Sequence, residues 1–482
     1  MRVVIRSDAS SAIGIGHLMR SLALTQALHD GGDEVTLLTT VDPGALGDGW
    51  KREGASIRQI VAKIGSADDA ARTSMEAREV APAWLVLDGY AFDSGYRSVL
   101  DHDARLLLID DHGEATLRAD LVVNGNLYGA KEMYPGIDGR LLAGPRYATL
   151  RREFRALRRG ERDMGIILSL GGADPQERTA PLLRALAERG LRGRVVIGPS
   201  HRSADATRRV ANALGWEPLG PPADMAELLA SAELAIVGSG TTTLECAALG
   251  VPMVAVRIAD NQSRAAAALE ERGLALVSDG DDPEQVASAA AALAADGGRR
   301  AAMARAGPGV VDGLGALRVA SAMREALLMF RQATEDDARL LHGWRNDPAT
   351  RAASFAPGEV SWEGHVSWLH GALAAPGTRI FVGELERTPI GVVRLERDGS
   401  VATMSITVAP EARSRGLAAP LIRAGLNAAA GLGVDHADAF IRPDNVASRR
   451  AFAAAGFTDA PPVGDHAPPN AIRMIAPVDR RR

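Results

Sequence analysis

The first twenty residues constrain the fold more than any other stretch. Val3-Val4-Ile5-Arg6-Ser7-Asp8 is a short, β-branched run, and it leads through Ile13-Gly14-Ile15-Gly16 into His17-Leu18-Met19-Arg20. Beyond the glycines, Leu18, Leu22, Ala23, Ala27 and Leu28 recur at helical spacing on one face. Strand, glycine-bearing loop and helix in that order form the opening unit of a nucleotide-binding α/β domain, whose loop amides and positive helix end can hold a phosphate or pyrophosphate. His17 falls where the helix begins, so a ring nitrogen can face whatever the loop binds. The helix dipole disfavours an imidazolium there and leaves the ring able to accept a proton. A loop histidine that only caps a turn is the competing reading, because a Gly-rich loop alone is a weak signal.

Strands and helices then alternate, the pattern of a parallel α/β sheet. Strands are predicted at 2–6, 34–39, 83–88, 105–110 and 120–123, with helices at 17–29 and 66–80. Polar groups cluster where two of these strands end, at Asp88-Gly89-Tyr90 and Asp110-Asp111-His112-Gly113, and Asn124 and Asn126 follow the next one. Ligands of such sheets bind beyond the carboxyl ends of the strands; capping of the following helix is the alternative use of each Asp. Around 140–162 the composition turns Arg-rich and helix-prone. A second α/β series follows, with strands at 164–170, 194–197, 233–237, 252–256 and 274–277 and a helix at 178–189. Within it, Gly238-Ser239-Gly240-Thr241-Thr242-Thr243 opens a helix and offers hydroxyls and amides to a diphosphate. Glu245 lies one turn inside, placed to accept from vicinal ribose hydroxyls. Two α/β domains with a nucleotide loop in the second describe the GT-B arrangement of nucleotide-sugar enzymes. An unpaired Glu packed on an otherwise apolar helix would be costly, which favours the binding role.

The pattern changes again after the Ala-rich helical region 282–327. A strand at 328–334, a hairpin at 379–384 and 389–395, and strands at 403–408 and 437–442 predict an α+β domain. Its marked feature is Arg413-Ser414-Arg415-Gly416-Leu417-Ala418 between a strand and an apolar helix. This is an anion cradle of backbone N–H groups and a helix end, as in the acyl-CoA sites of N-acetyltransferases. The predicted domains are 1–155, 156–326 and 327–482.

At 482 residues the chain exceeds a single core. A net charge of -5 gives no reason to expect nucleic acid or an anionic membrane as partner. No apolar run nears the roughly 20 residues that span a bilayer, and no signal-like segment opens the chain. The lone cysteine, Cys246, excludes an internal disulfide or a Cys-cluster metal site and reads as packing rather than nucleophile. These features predict a cytoplasmic enzyme or binding protein and leave its oligomeric state open.

Residues 1–325 resemble the UDP-sugar hydrolases of the pseudaminic acid pathway, relatives of the GT-B glycosyltransferases. The matching elements are Arg6-Ser7-Asp8, Gly14, Gly16-His17 with Arg20, Asp88-Gly89-Tyr90, Asp110-Asp111, Asn124 with Asn126, Gly171-Gly172-Ala173-Asp174, and the Ser/Thr loop with Glu245. The resemblance implies release of UDP from UDP-2,4-diacetamido-2,4,6-trideoxy-β-L-altropyranose by water attack at the anomeric carbon with inversion, with no metal. His17 matches the catalytic histidine. The implied substrate-binding set is Asp8, Gly14, Gly16, Arg20, Asp88, Tyr90, Asp111, Asn126, Gly172, Ser239, Gly240, Thr241 and Glu245. Within it, Gly16 and the 239–242 loop would hold the diphosphate, and Asp88, Tyr90, Asp111 and Asn126 would contact the sugar.

Residues 328–482 look like a GNAT-fold acetyltransferase. Trp344-Arg345-Asn346 and the stretch from Trp362 to Trp368 resemble the enzyme that N-acetylates the 4-amino group one step earlier in that pathway. Acetyl-CoA is then the co-substrate, with Val408, Arg413, Arg415, Gly416, Ala418, Asn445 and Ser448 as its expected contacts. Phe452 stands where many GNAT enzymes carry a Tyr acid, and Phe cannot donate a proton. The expected fold is therefore two Rossmann-like domains in a GT-B arrangement followed by an α+β GNAT domain. Two rival functions remain: a GT-B glycosyltransferase fused to a different amino-sugar N-acetyltransferase, and a silent nucleotide-sugar sensor.

Overall fold

The computed structural model describes residues 1–8, 15–41, 47–113, 118–156, 165–172, 174, 176–198, 200–222, 224–461 and 468–479. Gly14, expected at the substrate, lies outside the described residues, as does Ala173. The chain divides into two compact units, Met1–Ala320 and Ser321–Arg482.

The first unit holds two parallel sheets. One is built from β1 (Arg2–Ser7), β2 (Glu34–Thr39), β3 (Ser56–Gln59), β4 (Trp84–Asp88), β5 (Arg105–Ile109), β6 (Arg118–Asn124) and β7 (Asp138–Ala143), in the order β3-β2-β1-β4-β5-β6-β7. The other comprises β8 (Ile166–Ser169), β9 (Gly193–Val196), β10 (Glu217–Leu219), β11 (Leu234–Gly238), β12 (Met253–Arg257) and β13 (Leu276–Asp279), in the order β10-β9-β8-β11-β12-β13. The middles of the central strands are apolar because helices cover both faces; Val3, Val4, Ile5, Leu85 and Val86 are fully buried, as are Leu168, Ile236 and Val254. In each sheet the order reverses once, between β1 and β4 and between β8 and β11. Those reversals open crevices at the strand ends.

In this unit the sequence reading missed three edge strands; in the second it also missed the strands Thr458–Ala460 and Ile472–Pro477. β3 and β10 are short and carry too few apolar residues to stand out. β7 lies at the start of the run read as helix-prone; its other described residues include a 3₁₀ turn, Pro145–Tyr147, and a short helix, Glu153–Ala156. Gly139, at φ 131°, lets β7 close on β6, where a Cβ would meet the Ala119 carbonyl oxygen.

The second unit is one mixed sheet: β14 (Leu328–Gln332), β15 (Thr378–Leu385), β16 (Thr388–Asp398), β17 (Val401–Val408), β18 (His436–Ile441), β19 (Thr458–Ala460) and β20 (Ile472–Pro477). Their order is β14-β15-β16-β17-β18-β20-β19. β14 to β17 are antiparallel neighbours, whereas β17 and β18 run parallel. The α/β pair and the following α+β sheet are the expected fold. Among the described residues, no helix is long and apolar enough to cross a membrane.

Helix Gly297–Val310 packs on helix Thr241–Leu249 through Gly307, where a Cβ would come within 2.3 Å of the Ala247 carbonyl oxygen. Gly307→Ala should therefore destabilise the first unit by about 1–3 kcal/mol. Urea unfolding measures this; an unchanged midpoint would mean that the helix pair yields without strain.

Candidate active sites

At the first crevice, β1 and β4 pair in register to Ser7 and Asp88. Helix Gly16–His29 begins beside these ends and turns His17 and Arg20, three residues apart, toward Asp88. His17 Nδ1 lies 2.6 Å from Asp88 Oδ1. Arg20 donates from Nε to both Asp88 oxygens at 2.9 Å, from Nη2 to Oδ1 at 2.6 Å, and from Nη1 to Asp111 at 2.8 and 2.9 Å. The Ser21 hydroxyl donates to Asp88 Oδ2 at 2.9 Å.

Burial alone would raise the Asp88 carboxyl, but Arg20 and His17 outweigh it and hold it down at about 2. The group is thus ionised and calls for a proton on Nδ1 at this distance, while Arg20 Nη2 lies 2.9 Å from the same nitrogen. The shorter carboxylate contact favours the Nδ1–H tautomer, with Nε2 as the acceptor. Asp88, expected among the sugar contacts, is 0% exposed with its oxygens occupied; it orients His17 instead. Asp8 is likewise buried and engaged within the fold. Its Oδ1 accepts from both threonine hydroxyls and the N–H of Thr39-Thr40, and its Oδ2 faces Arg6 Nη1 at 2.5 Å, so it ties β1 to the end of β2. Arg20 is similarly committed to two carboxylates.

The accessible rim is Tyr90, Asp111 and Asn126. Tyr90 packs edge-on to His17 at 4.7 Å and donates to Asp111 at 3.3 Å; burial and that carboxylate raise its phenol to about 12. Asn126 donates to Asp111 at 2.7 Å. Asp110 instead closes its own turn, accepting from the N–H groups of His112 and Gly113 and from the Tyr134 hydroxyl.

The second crevice lies across from the first within the same unit. A Cβ on Gly16 would lie 3.8 Å from Thr241 Oγ1, and one on Gly172 would lie 3.6 Å from Ile15. Two helix N-termini face this region, and they differ. Helix Thr179–Glu188 is closed by Asp174, which accepts from the N–H groups of Arg178 and Thr179 at 2.9 Å and has His201 Nε2 at 3.3 Å. Helix Thr241–Leu249 starts after Gly240 with no side-chain cap, and the buried Ser239 hydroxyl beside it has no hydrogen-bond partner among the described residues. The open anion position is therefore at Ser239–Thr241. Burial raises Glu245 to about 7, against the pull of Arg151, whose Nη2 is 3.6 Å from Oε1. Arg151 went unrecognised in the sequence, where it was one arginine in a basic run.

In the second unit, β17 pairs with β18 only from Val401 to Thr403, while it pairs with β16 along its full length. Beyond Thr403 the strands part, and the half-buried Val408 ends β17 on this open edge. A turn with positive φ at Ser414 (62°) and Gly416 (70°) then delivers the chain to helix Ala418–Ala430, which has no side-chain cap. Arg413, expected on a pyrophosphate, instead donates to Thr350 Oγ1 at 2.7 Å and pairs with Asp347 at 2.5 Å. Arg415 lies within this turn and Ala418 opens the helix. Asn445 caps helix Val446–Ala454 by accepting the Ser448 N–H at 3.0 Å, so that carbonyl oxygen is spent on local structure. Phe452 is core, edge-on to Phe457. Asn346 and Arg345 brace the loop ahead of helix Trp362–Ala374, donating to the carbonyls of Val360 and Ala356.

Residues 328–458 match the family described as an acetyltransferase (GNAT) domain. The chain is 27% identical over 186 residues to the spore coat polysaccharide biosynthesis protein SpsG of Bacillus subtilis, covering 36% of this chain and 55% of that protein. It is 23% identical over 275 residues to the uncharacterized protein MJ1062 of Methanocaldococcus jannaschii, covering 53% and 55%. The chain thus spans about half the length of these curated relatives. Among solved structures, MurG of Acinetobacter baumannii aligns with 18% identity and a TM-score of 0.47, over 67% of this chain and 99% of that one. The chain carries a GNAT acetyltransferase domain and has a homologue in SpsG.

The carboxylate contact predicts that neutral His17 is the Nδ1–H tautomer, and that Asp88→Asn, which can donate as well as accept, yields a tautomer mixture. ¹⁵N NMR of the imidazole distinguishes the two. A wild-type ring protonated at Nε2 would rule out the proposed orientation.

Proposed function

We propose that the chain is a bifunctional nucleotide-sugar enzyme of pseudaminic acid biosynthesis, working in the cytoplasm. The second unit acetylates the 4-amino group of a UDP-amino sugar with acetyl-CoA, and the first hydrolyses the product to UDP and free sugar. The observation that carries the hydrolase reading is the His17–Asp88 pair set opposite an uncapped, hydroxyl-lined helix N-terminus.

In this reading the diphosphate sits on the amides of Thr241 and Thr242 at the helix start with the Ser239 hydroxyl, where the helix end favours the charge that grows as UDP departs. Glu245 accepts from the ribose hydroxyls. Tyr90 and Asn126 hold the sugar, and Asp111 orients both. Water attacks the anomeric carbon opposite the departing phosphate and gives its proton to His17 Nε2; Asp88 stabilises the imidazolium that forms. In the GNAT domain, the open edge of β17 up to Val408 offers amides to the thioester carbonyl. The turn at Arg415–Gly416 and the start of the Ala418 helix hold the pyrophosphate, and Arg413 joins them by leaving Asp347. The deprotonated amine attacks the thioester, and the CoA thiolate leaves.

Incubating the full chain with acetyl-CoA and UDP-4-amino-4,6-dideoxy-N-acetyl-β-L-altrosamine should yield CoA, UDP and free 2,4-diacetamido-2,4,6-trideoxy-L-altrose by mass spectrometry. A persistent acetylated UDP-sugar would point the first unit to glycosyl transfer, and no reaction would refute the substrate.

Glu245 also gives UDP-sugar binding a pH dependence. Below about 7 the carboxyl is neutral and offers a proton; above it the carboxylate accepts from both ribose hydroxyls, so affinity should rise as pH increases through about 7. Calorimetric titration of the His17→Asn protein reads this without turnover. Adding Glu245→Gln should flatten the profile; superimposable profiles would remove Glu245 from the ribose site.

A further inference from the structure

β17 lies between β16 and β18 in the sheet order but keeps only β16 beyond Thr403, and Ser405, two residues further on, is exposed. Among the described residues, no helix or loop covers this position of the sheet on the face to which Ser405 points. Alternation along the strands identifies the face. Val393 and Met404 point to helix Ala418–Ala430, where a Cβ on Gly425 would lie 2.8 Å from Val393 and 3.1 Å from Met404. Their sequence neighbours Arg394 and Ser405 are register partners across β16 and β17 and lie on the opposite face. Trp368, from helix Trp362–Ala374, borders this opening. It is 42% exposed, and the Arg394 guanidinium lies 5.7 Å from its ring centroid. Arg394 Nη2 is 3.3 Å from Glu396 Oε2. Ser405 stands two residues past the point where β17 and β18 part, so the bare patch leads directly to the gap between these strands.

We propose that this open face receives the nucleoside diphosphate portion of the acetyl acceptor, with Trp368 stacking on the base and Arg394 meeting the diphosphate. The inference rests on the nucleotide-sugar reading above and adds the surface by which the second unit recognises its acceptor. An exposed Trp supplies a flat apolar face for a heterocycle, and a guanidinium beside it supplies the charge that a diphosphate needs. A groove of about 460 Å³ elsewhere on the same helix, beside Trp362, is rimmed by Glu335 and Glu363 and would repel that ligand. With the cofactor's turn and helix on one face and the acceptor on the other, the amine reaches the thioester through the gap between the strands.

The test measures initial rates of CoA release by the full chain with two acceptors, the UDP-4-amino sugar and the same amino sugar without UDP. Trp368→Ala and Arg394→Ala should each raise KM for the UDP-linked acceptor about tenfold, leaving its kcat, the KM for acetyl-CoA and the rate with free amino sugar unchanged. Trp368→Phe should restore the KM. An unchanged KM in both Ala variants would overturn the proposal and leave the substrate reading intact. Equal losses with both acceptors would also overturn it, as general damage to the domain. Wild-type protein that acetylates only the free amino sugar would overturn the nucleotide-sugar reading and this surface together.

Discussion

The first unit depends on one cation between two carboxylates. Asp88 ends an inner strand and is fully buried, and Asp111 follows the neighbouring strand. Side by side they repel, and neither would stay ionised without help. Arg20 meets both with paired hydrogen bonds, and despite its own burial Asp111 and Asp88 keep its guanidinium well above its ordinary value. Removing one partner from such a buried set costs about 3–5 kcal/mol, because the remaining charge has no solvent to return to. The cluster spans three elements, β4, the loop after β5 and the first helix, and so fixes where that helix starts. His17 inherits its place, its tautomer and its free nitrogen from this arrangement.

The second anchor of the site is an absence. Both helices that start at the β8 and β11 ends could hold an anion, but Asp174 fills one of these positions with a carboxylate of its own. The other starts after Gly240, which has no side chain to cap it. The choice between two similar helix ends is thus made by one side chain, before any ligand arrives. The GNAT domain uses the same device in a different setting: its helix Ala418–Ala430 is also uncapped and is reached through a turn that needs left-handed backbone at Ser414 and Gly416.

Much of this was legible in the sequence. Long apolar strands, amphipathic helices and the glycine loops between them announce themselves by period and composition, and the polar residues at strand ends were correctly placed near the crevices. What periodicity does not report is the direction of a polar side chain at a strand end. Asp8 and Asp88 read like Asp111, yet the first ties two strands together and the second supports the histidine. Asn445 reads like a ligand, yet its side-chain oxygen caps the helix by accepting the Ser448 N–H, because Asn at a helix start satisfies its amides whether or not a ligand exists. The edge strands β3, β7 and β10 went unseen because a strand paired on one side alone needs little apolar character. Arg151, the partner of Glu245, was hidden because its contact joins residues 94 positions apart in the sequence, from 151 to 245.

The mixed sheet of the second unit shows why an exposed polar residue can say more than a buried apolar one. A sheet with helices on both faces gains stability from each inner-strand side chain that it covers, so leaving Ser405 bare forgoes burial at the best-placed position. The cost is confined to one patch, and the patch coincides with the place where β17 gives up its ladder with β18. Closing either would stabilise the fold: a large apolar residue at 405 under a longer helix, or continued pairing beyond Thr403. Each would also block one of the two approaches to the strand edge proposed for acetyl transfer. The sheet is left incomplete in both directions at one point, and a Trp and an Arg stand beside the opening.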